Sequence, residues 1–236
     1  MPFRVIATEV WFKKNNLLIN KIDNSLITIV SDEVLKSSIS TRNPDGVAAL
    51  VKISSIPKFF YEKKDDFFLV LDRVQDPGNL GNLFRTALAG GVNKILLGGG
   101  ANPLSQKVLR ASCGSIFHLP YKRLIGDETQ VIEDLLTSLE DLSNKGFQII
   151  STGVREKSLQ KNSKPYWEIN WKKPTALILG NEGSGIHHKI IEAFNDTITI
   201  PHSELVESLN VACVAVPLIL ERKRVTFTSI SEIKSD

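Results

Sequence analysis

The sequence predicts an α/β protein: a mostly parallel sheet with helices on both faces, preceded by a small α/β unit. Three observations carry that prediction. From Phe67 onward, apolar runs of strand length alternate with amphipathic runs of helix length, the pattern of a parallel sheet covered on both sides. Residues 67–71 are apolar at every position, as a strand buried on both faces must be. Two later apolar runs, 176–179 and 198–200, release into Gly180-Asn181-Glu182-Gly183-Ser184-Gly185 and, about eight residues past Pro201, into Ser208-Leu209-Asn210. Paired strand ends of this kind open a ligand crevice at the carboxyl edge of a sheet.

The elements follow in order. Residues 26–30 (Leu-Ile-Thr-Ile-Val) have the β-branched content of a strand, and Ser31 caps a short helix through Leu35. Asn43-Pro44-Asp45-Gly46 is a turn, and 47–53 make a second strand. Lys58, Glu62, Lys63, Lys64, Asp65 and Asp66 mark a charged connector. The organisation read from this is a first unit at 1–60, a linker at 61–66, a main domain at 67–226 and a tail at 227–236. Within the main domain, strand 67–71 leads to a helix over 78–89, stopped by Gly90-Gly91. Strand 94–97, a glycine loop at 98–100, a helix over 105–111 and a strand at 116–119, closed by Pro120, come next. Residues 127–145 form an amphipathic helix with Val131, Leu135, Leu139 and Leu142 on one face, and 147–151 a strand. Residues 155–173 read as a polar surface excursion. The last helix is expected to open at 208–210 and to kink at Pro217.

Composition sets limits on function. A chain of 236 residues can form one large domain, or a core domain with a small appendage. Its 42% hydrophobic and 23% charged content are those of a soluble globular protein, and a net charge of +3 is too small to prove an anionic partner. Cys113 and Cys213 stand far apart in apolar settings, which predicts buried, reduced thiols; no metal-ligand spacing exists, so no metal is expected. Arg4, Glu9, Lys13 and Lys14 interrupt any N-terminal apolar segment. The longest apolar run, 211–220, is half the ~20 residues a membrane span needs. These features predict a soluble protein of the cytoplasm, or of an organelle lumen, without a membrane partner.

Three clusters could carry chemistry. The first, Asp76 to Ala87, lies at a strand-to-helix turn, where free N–H groups face a loop. Arg85 is unusual among Leu83, Phe84, Ala87 and Leu88; Asn79 reads equally well as a helix cap and Arg85 as a surface residue. The second, 180–185, could hold a cofactor's adenine or ribose on its amides, or be a tight turn; it has no Gly-Lys-Ser/Thr of a phosphate loop. In the third, Ser208 or Asn210 could cap the last helix or face the crevice. A dinucleotide-dependent oxidoreductase would need a glycine fingerprint after the first strand, and 76–81 does not supply it.

Taken together, Asn79-Leu80-Gly81 with Arg85-Thr86-Ala87, then Leu179 to Gly185, then Ile200-Pro201 with Ser208-Leu209-Asn210-Val211, resemble the three motifs of the SpoU (TrmH-like) class of SPOUT RNA methyltransferases. Ser105, Lys107, Arg110-Ala111-Ser112 and Gly114 resemble the stretch between motifs 1 and 2, and the resemblance covers about two-thirds of the chain. It implies a C-terminal trefoil knot, a homodimer, S-adenosylmethionine as cofactor, and methyl transfer to a ribose 2′-hydroxyl of RNA; the first unit favours ribosomal RNA, with transfer RNA the alternative. By position it assigns Arg85, Asn79, Glu182, Ser208 and Asn210 to the catalytic rim, with Glu182 holding Arg85 in place. It assigns Gly180, Asn181, Gly183, Ile200 and Leu209 to the cofactor. The first unit resembles the family's ribosomal-protein-like RNA-binding domain, shorter than usual and with its front missing. Asn82, Phe84 and His202 depart from the family's pattern without removing a catalytic position. A non-catalytic RNA-binding protein on the same fold is the competing reading, and the intact rim argues against it. Lys107, Arg110, Lys122, Arg123, Arg155, Lys157, Lys161 and Lys164 are candidate RNA contacts.

Overall fold

The computed structural model describes residues 2–55, 58–153, 163–203 and 205–233. The chain divides into two compact units, Met1–Ile56 and Pro57–Asp236.

The first unit is a three-stranded sheet with β1 (Arg4–Thr8) in the centre. β2 (Ile27–Val30) runs parallel to it and β3 (Val47–Leu50) antiparallel. Helices α1 (Glu9–Lys14), α2 (Asn16–Ile19) and α3 (Asp32–Ser38) join the strands, and Ser31 caps α3 by accepting the Val34 N–H at 3.3 Å. Val5, Ala7, Ile19 and Leu35 form the small core. The central strand is the one that sequence reasoning misses, because Arg4 breaks its apolar run. The second predicted strand ends at Leu50, and Ile53–Ser55 is a 3-10 turn instead.

The second unit is a seven-stranded sheet, and every pairing in it is parallel. Its strands are β4 (Phe67–Asp72), β5 (Lys94–Gly98), β6 (Tyr121–Arg123), β7 (Gln148–Thr152), β8 (Lys164–Pro165), β9 (Thr175–Leu179) and β10 (Thr197–Thr199), in the order β6-β5-β4-β9-β7-β10-β8. Alternate residues of β4, β5 and β9 enter two separate cores. On one face Leu69, Leu71, Leu97 and Leu177 pack with Leu83 and Phe84 of α4 (Pro77–Gly90), Val108 of α5 (Gln106–Ala111) and Ala215 and Ile219 of α8 (Val211–Ile233). On the other, Val70, Leu96 and Ile178 meet Leu135 and Leu139 of α6 (Glu128–Asn144) and Ile190 of α7 (His188–Ala193). Every residue of β4 and β9 is buried. At about 1.5–3 kcal/mol per large apolar side chain, an upper estimate, this two-sided burial dominates the unit's stability. α4 and α8 touch at Gly90, where an added Cβ would lie 1.9 Å from Ile219 Cγ2.

Several local expectations are corrected. The strand expected at 116–119 is a 3-10 turn over Ser115–Phe117, and β6 follows Pro120. Ile116 and Leu119, three apart, are both buried, which suits a helical turn better than an alternating strand; Ser115 Oγ also donates to Ser112 O at 2.6 Å. α4 is capped by Asp76, whose Oδ1 accepts the Asn79 N–H at 2.8 Å, so Asn79 is not the cap. α8 begins at Val211, contains Pro217 and runs on to Ile233. Both cysteines are exposed rather than buried: Cys113 occupies a left-handed turn (φ 47) after α5, and Cys213 faces outward from α8. The excursion before β9 is not wholly at the surface. Trp171 is buried and donates its indole N–H to Tyr166 O at 2.8 Å. Arg155, Lys157 and Lys161 lie outside the described residues. The charged connector is tied to the second unit. Lys94, 3% exposed, meets Asp65 at 2.6 Å, and Arg222 reaches Asp66 at 3.1 Å.

Candidate active site

With all seven strands parallel, their carboxyl ends share one edge, and the loops leaving β4, β7, β9 and β10 gather there. The 180–185 loop is shaped by its own residues. Asn181 and Gly185 exchange both backbone hydrogen bonds at 3.0 Å, and Asn181 Oδ1 accepts the Gly183 and Ser184 N–H groups at 2.8 and 2.9 Å. Asn181 Nδ2 then donates to Arg73 O at 2.9 Å, fastening the loop to the turn after β4.

Glu182 is the hub between the clusters. One carboxylate oxygen accepts the Gln75 N–H at 3.1 Å; the other accepts the Asp76 N–H at 3.2 Å and Asn79 Nδ2 at 3.0 Å. Asn79 Oδ1 in turn accepts Asn210 Nδ2 at 2.9 Å. Asn210 Oδ1 closes the chain of contacts by accepting the Ala212 and Cys213 N–H groups at 2.9 and 3.3 Å, which fixes the start of α8. Three stretches, the first more than 100 residues from the other two in sequence, are thereby joined by side-chain hydrogen bonds. Asp76 adds a charged contact, its Oδ2 lying 3.2 Å from Lys107 Nζ.

Burial works to raise the pKa of Glu182, but the hydrogen bonds from Asn79 and the Gln75 and Asp76 amides outweigh it and hold the carboxyl below its ordinary range. Because the folded value lies below the unfolded one, the stability this gives is complete above the ordinary glutamate range and is lost as pH falls through and below it. A Glu182→Gln variant should therefore lose less melting temperature than wild type on acidification below about pH 4.5. Thermal unfolding across a pH series checks this, and parallel curves for the two proteins would contradict it.

Beside this hub runs a groove. Of the sequence-predicted residues, Gly180, Asn181, Glu182, Ile200, Ser208 and Leu209 line it. Asn79 adjoins it through Glu182, and Asn210 through Asn79, while Gly183 turns its N–H to Asn181. Arg85 is placed elsewhere. It is exposed on α4, donates to Cys113 Sγ at 3.6 Å, and is not among the described residues lining the groove. The expected Glu182–Arg85 contact is thus not made within the chain; Glu182 spends its oxygens on Gln75, Asp76 and Asn79. Sequence reasoning missed Thr152 and Gly153 at the end of β7, and also Thr199; His202 and Glu207, beside the predicted motif residues, were given no role. The only signal for the first pair was a strand ending in Ser-Thr-Gly, like the other strand ends.

A sequence profile of the SpoU rRNA Methylase family matches residues 66–220. The chain belongs to this family. The SpoU methylase match spans all three predicted motif clusters and the joining hydrogen bonds described above. Among curated relatives, an uncharacterized tRNA/rRNA methyltransferase of Synechocystis sp. is 35% identical over 92% of this chain and 75% of its own. The 23S rRNA (guanosine(2553)-2′-O)-methyltransferase RlmP of Bacillus subtilis is 32% identical over 91% and 79%. Among solved structures, the AdoMet-bound rRNA methyltransferase of Sinorhizobium meliloti is 25% identical with a TM-score of 0.72, covering 94% of this chain and 80% of that one. The SpoU chain is accordingly an RNA methyltransferase, an enzyme whose family draws its methyl group from S-adenosylmethionine. Its groove suits that molecule. Ile198, Ile200, Leu209, Val211 and Val214 offer an apolar wall for a base, and the carboxylates of Glu182 and Glu207 suit a ligand carrying sulfonium and ammonium charges. Among the described residues, no helix is long and apolar enough to cross a membrane.

Proposed function

We propose that this SpoU enzyme methylates a ribose 2′-hydroxyl of structured RNA, ribosomal rather than transfer RNA, as a cytoplasmic homodimer with a knotted C-terminal segment. The observation that carries the reading is the Glu182–Asn79–Asn210 chain of hydrogen bonds, which unites the three motif clusters at the rim of one groove. The preference for ribosomal RNA is supported by RlmP, a 23S rRNA 2′-O-methyltransferase whose likeness reaches into the first unit as well. That unit, on this reading, is a short ribosomal-protein-like RNA-binding domain.

The bound cofactor supplies an electrophilic methyl group on a sulfonium sulfur. Residues of the chain do the rest. The backbone around Gly180, Ile200 and Leu209 holds the cofactor in the groove. Ser208, Asn79 and Asn210 orient the ribose, because transfer needs the hydroxyl oxygen aligned at about 3 to 3.5 Å from its target. Glu182 is the organiser: with its oxygens engaged and its pKa held low, it keeps the rim in register and does not take up the proton. A guanidinium is a poor proton acceptor, so Arg85 acts electrostatically, stabilising negative charge that develops on the oxygen and gripping the neighbouring phosphate through its planar fork. The proton leaves to water. Since Arg85 stands apart from the groove of its own chain, a second copy delivers it, which is why the working enzyme is a dimer.

Incubation with methyl-labelled cofactor and purified ribosomal or transfer RNA, followed by nucleoside analysis, tests this directly. A 2′-O-methyl nucleoside in ribosomal RNA is expected. Label on a base, label only in transfer RNA, or none in either would each overturn a stated part of the reading.

A further inference from the structure

The contacts that hold both ends of the groove's loop lead back to two adjacent residues that none of the motifs assigns, Asp72 and Arg73. Asp72 is the last residue of β4 and is fully buried. Its Oδ2 accepts the His187 N–H at 2.7 Å, and its two oxygens grip the Arg73 guanidinium at 2.9 and 3.2 Å. The guanidinium also reaches Glu128 Oε1 at 2.7 Å, at the first residue of α6. The Arg73 backbone is left-handed (φ 54), a conformation uncommon for residues other than glycine. It is held on both sides: its N–H donates to Gly98 O at 3.0 Å, and its carbonyl accepts Asn181 Nδ2 at 2.9 Å. The loop is therefore fastened at its start to the Arg73 carbonyl and at its end to the Asp72 carboxylate.

A turn that needed only the left-handed backbone would be served best by glycine, without strain. An arginine there, clasped by two carboxylates, has a use for its side chain. We infer that Asp72 and Arg73 are positioning residues for the cofactor: their clasp, braced from α6 by Glu128, sets the shape of the 180–187 loop and hence the affinity of the groove. The inference rests on the reading of that groove as the S-adenosylmethionine site.

The two explanations order the variants at residue 73 oppositely. If only the backbone matters, Arg73→Gly should equal or exceed wild type and Arg73→Lys should gain nothing over it. If the clasp positions the loop, Arg73→Gly weakens binding of S-adenosylhomocysteine roughly tenfold, the scale of a lost charge-assisted hydrogen bond. KM for the cofactor should rise by more than kcat falls, and Arg73→Lys should recover part of the affinity by keeping one charged donor. Calorimetric titration of the purified wild type and both variants, beside thermal unfolding and steady-state kinetics, reads all of these. Arg73→Gly binding as tightly as wild type, or more tightly than Arg73→Lys, overturns the inference while leaving the groove reading intact. Wild type that binds no S-adenosylhomocysteine overturns both. Should Arg73→Gly not fold, Glu128→Gln loosens the same clasp from an exposed position. It should weaken binding about threefold; wild-type affinity in that variant would end the inference.

Discussion

Arg85→Ala is expected to lower kcat for RNA methylation by roughly 10² to 10³, the scale of losing one preorganised donor to a developing oxyanion. Affinity for S-adenosylhomocysteine should stay within about twofold of wild type, because Arg85 is not among the described residues lining the groove and its guanidinium hydrogen-bonds to Cys113 instead. Binding kept while turnover is lost is the signature of a group that acts on charge in the transition state. Arg85→Lys separates charge from shape. It retains the cation and loses the planar fork, so an intermediate rate is expected, and full wild-type activity would argue against bidentate contact with a phosphate. Single-turnover kinetics with saturating cofactor, beside calorimetric binding, checks both halves.

Gly180→Ala should do the reverse. An added Cβ would lie 2.4 Å from Gly185 C and Ile186 N and 2.8 Å from Gly185 O, all backbone atoms. That backbone cannot readily yield, because the Asn181–Gly185 hydrogen-bond pair and the Asp72–His187 contact hold it on both sides. Relief must come by opening the loop on which the groove is built. Overpacking of this kind typically costs about 1–3 kcal/mol of stability, a fall of roughly 2–12 °C in melting temperature for a chain of this size. Cofactor affinity should fall by about a hundredfold or more, since the displaced loop carries Gly180, Asn181 and Glu182 together. Near-wild-type binding of S-adenosylhomocysteine would show that the groove lies elsewhere.

The parts of the fold legible in the sequence were those set by local pattern. The apolar run at 67–71 announced the two-sided burial of β4, and Gly91, at φ 82 after α4, was readable as a helix stop. Less legible were places where tertiary contacts choose between local options. Residues 116–119 are apolar enough for a strand, yet Ile116, in the 3-10 turn, and Leu119, two residues past its end, both reach the α4 core. β1 opens on a charged residue and gains its central place only by pairing with strands about 20 and 40 residues away. The site divided in the same way. Glu182, Asn79 and Asn210 lie in recognisable motifs, but what Glu182 binds is decided by amide groups of Gln75 and Asp76, which no side-chain pattern displays. The pairing of Asp72 with His187 across more than a hundred residues was equally invisible, since only the fold brings β4 and the loop after β9 together.

The claim on which the mechanism turns is that one chain supplies the groove and another supplies the guanidinium. Mixing Arg85→Ala with Gly180→Ala, after unfolding and refolding together and with heterodimers verified by native mass spectrometry, measures it most directly. In a mixed dimer one site unites an intact groove with an intact Arg85. Random pairing makes about half the dimers mixed, each with one working site of two, so methylation should return to about a quarter of wild type. A mixture as inactive as its two components, despite verified heterodimers, would contradict the account.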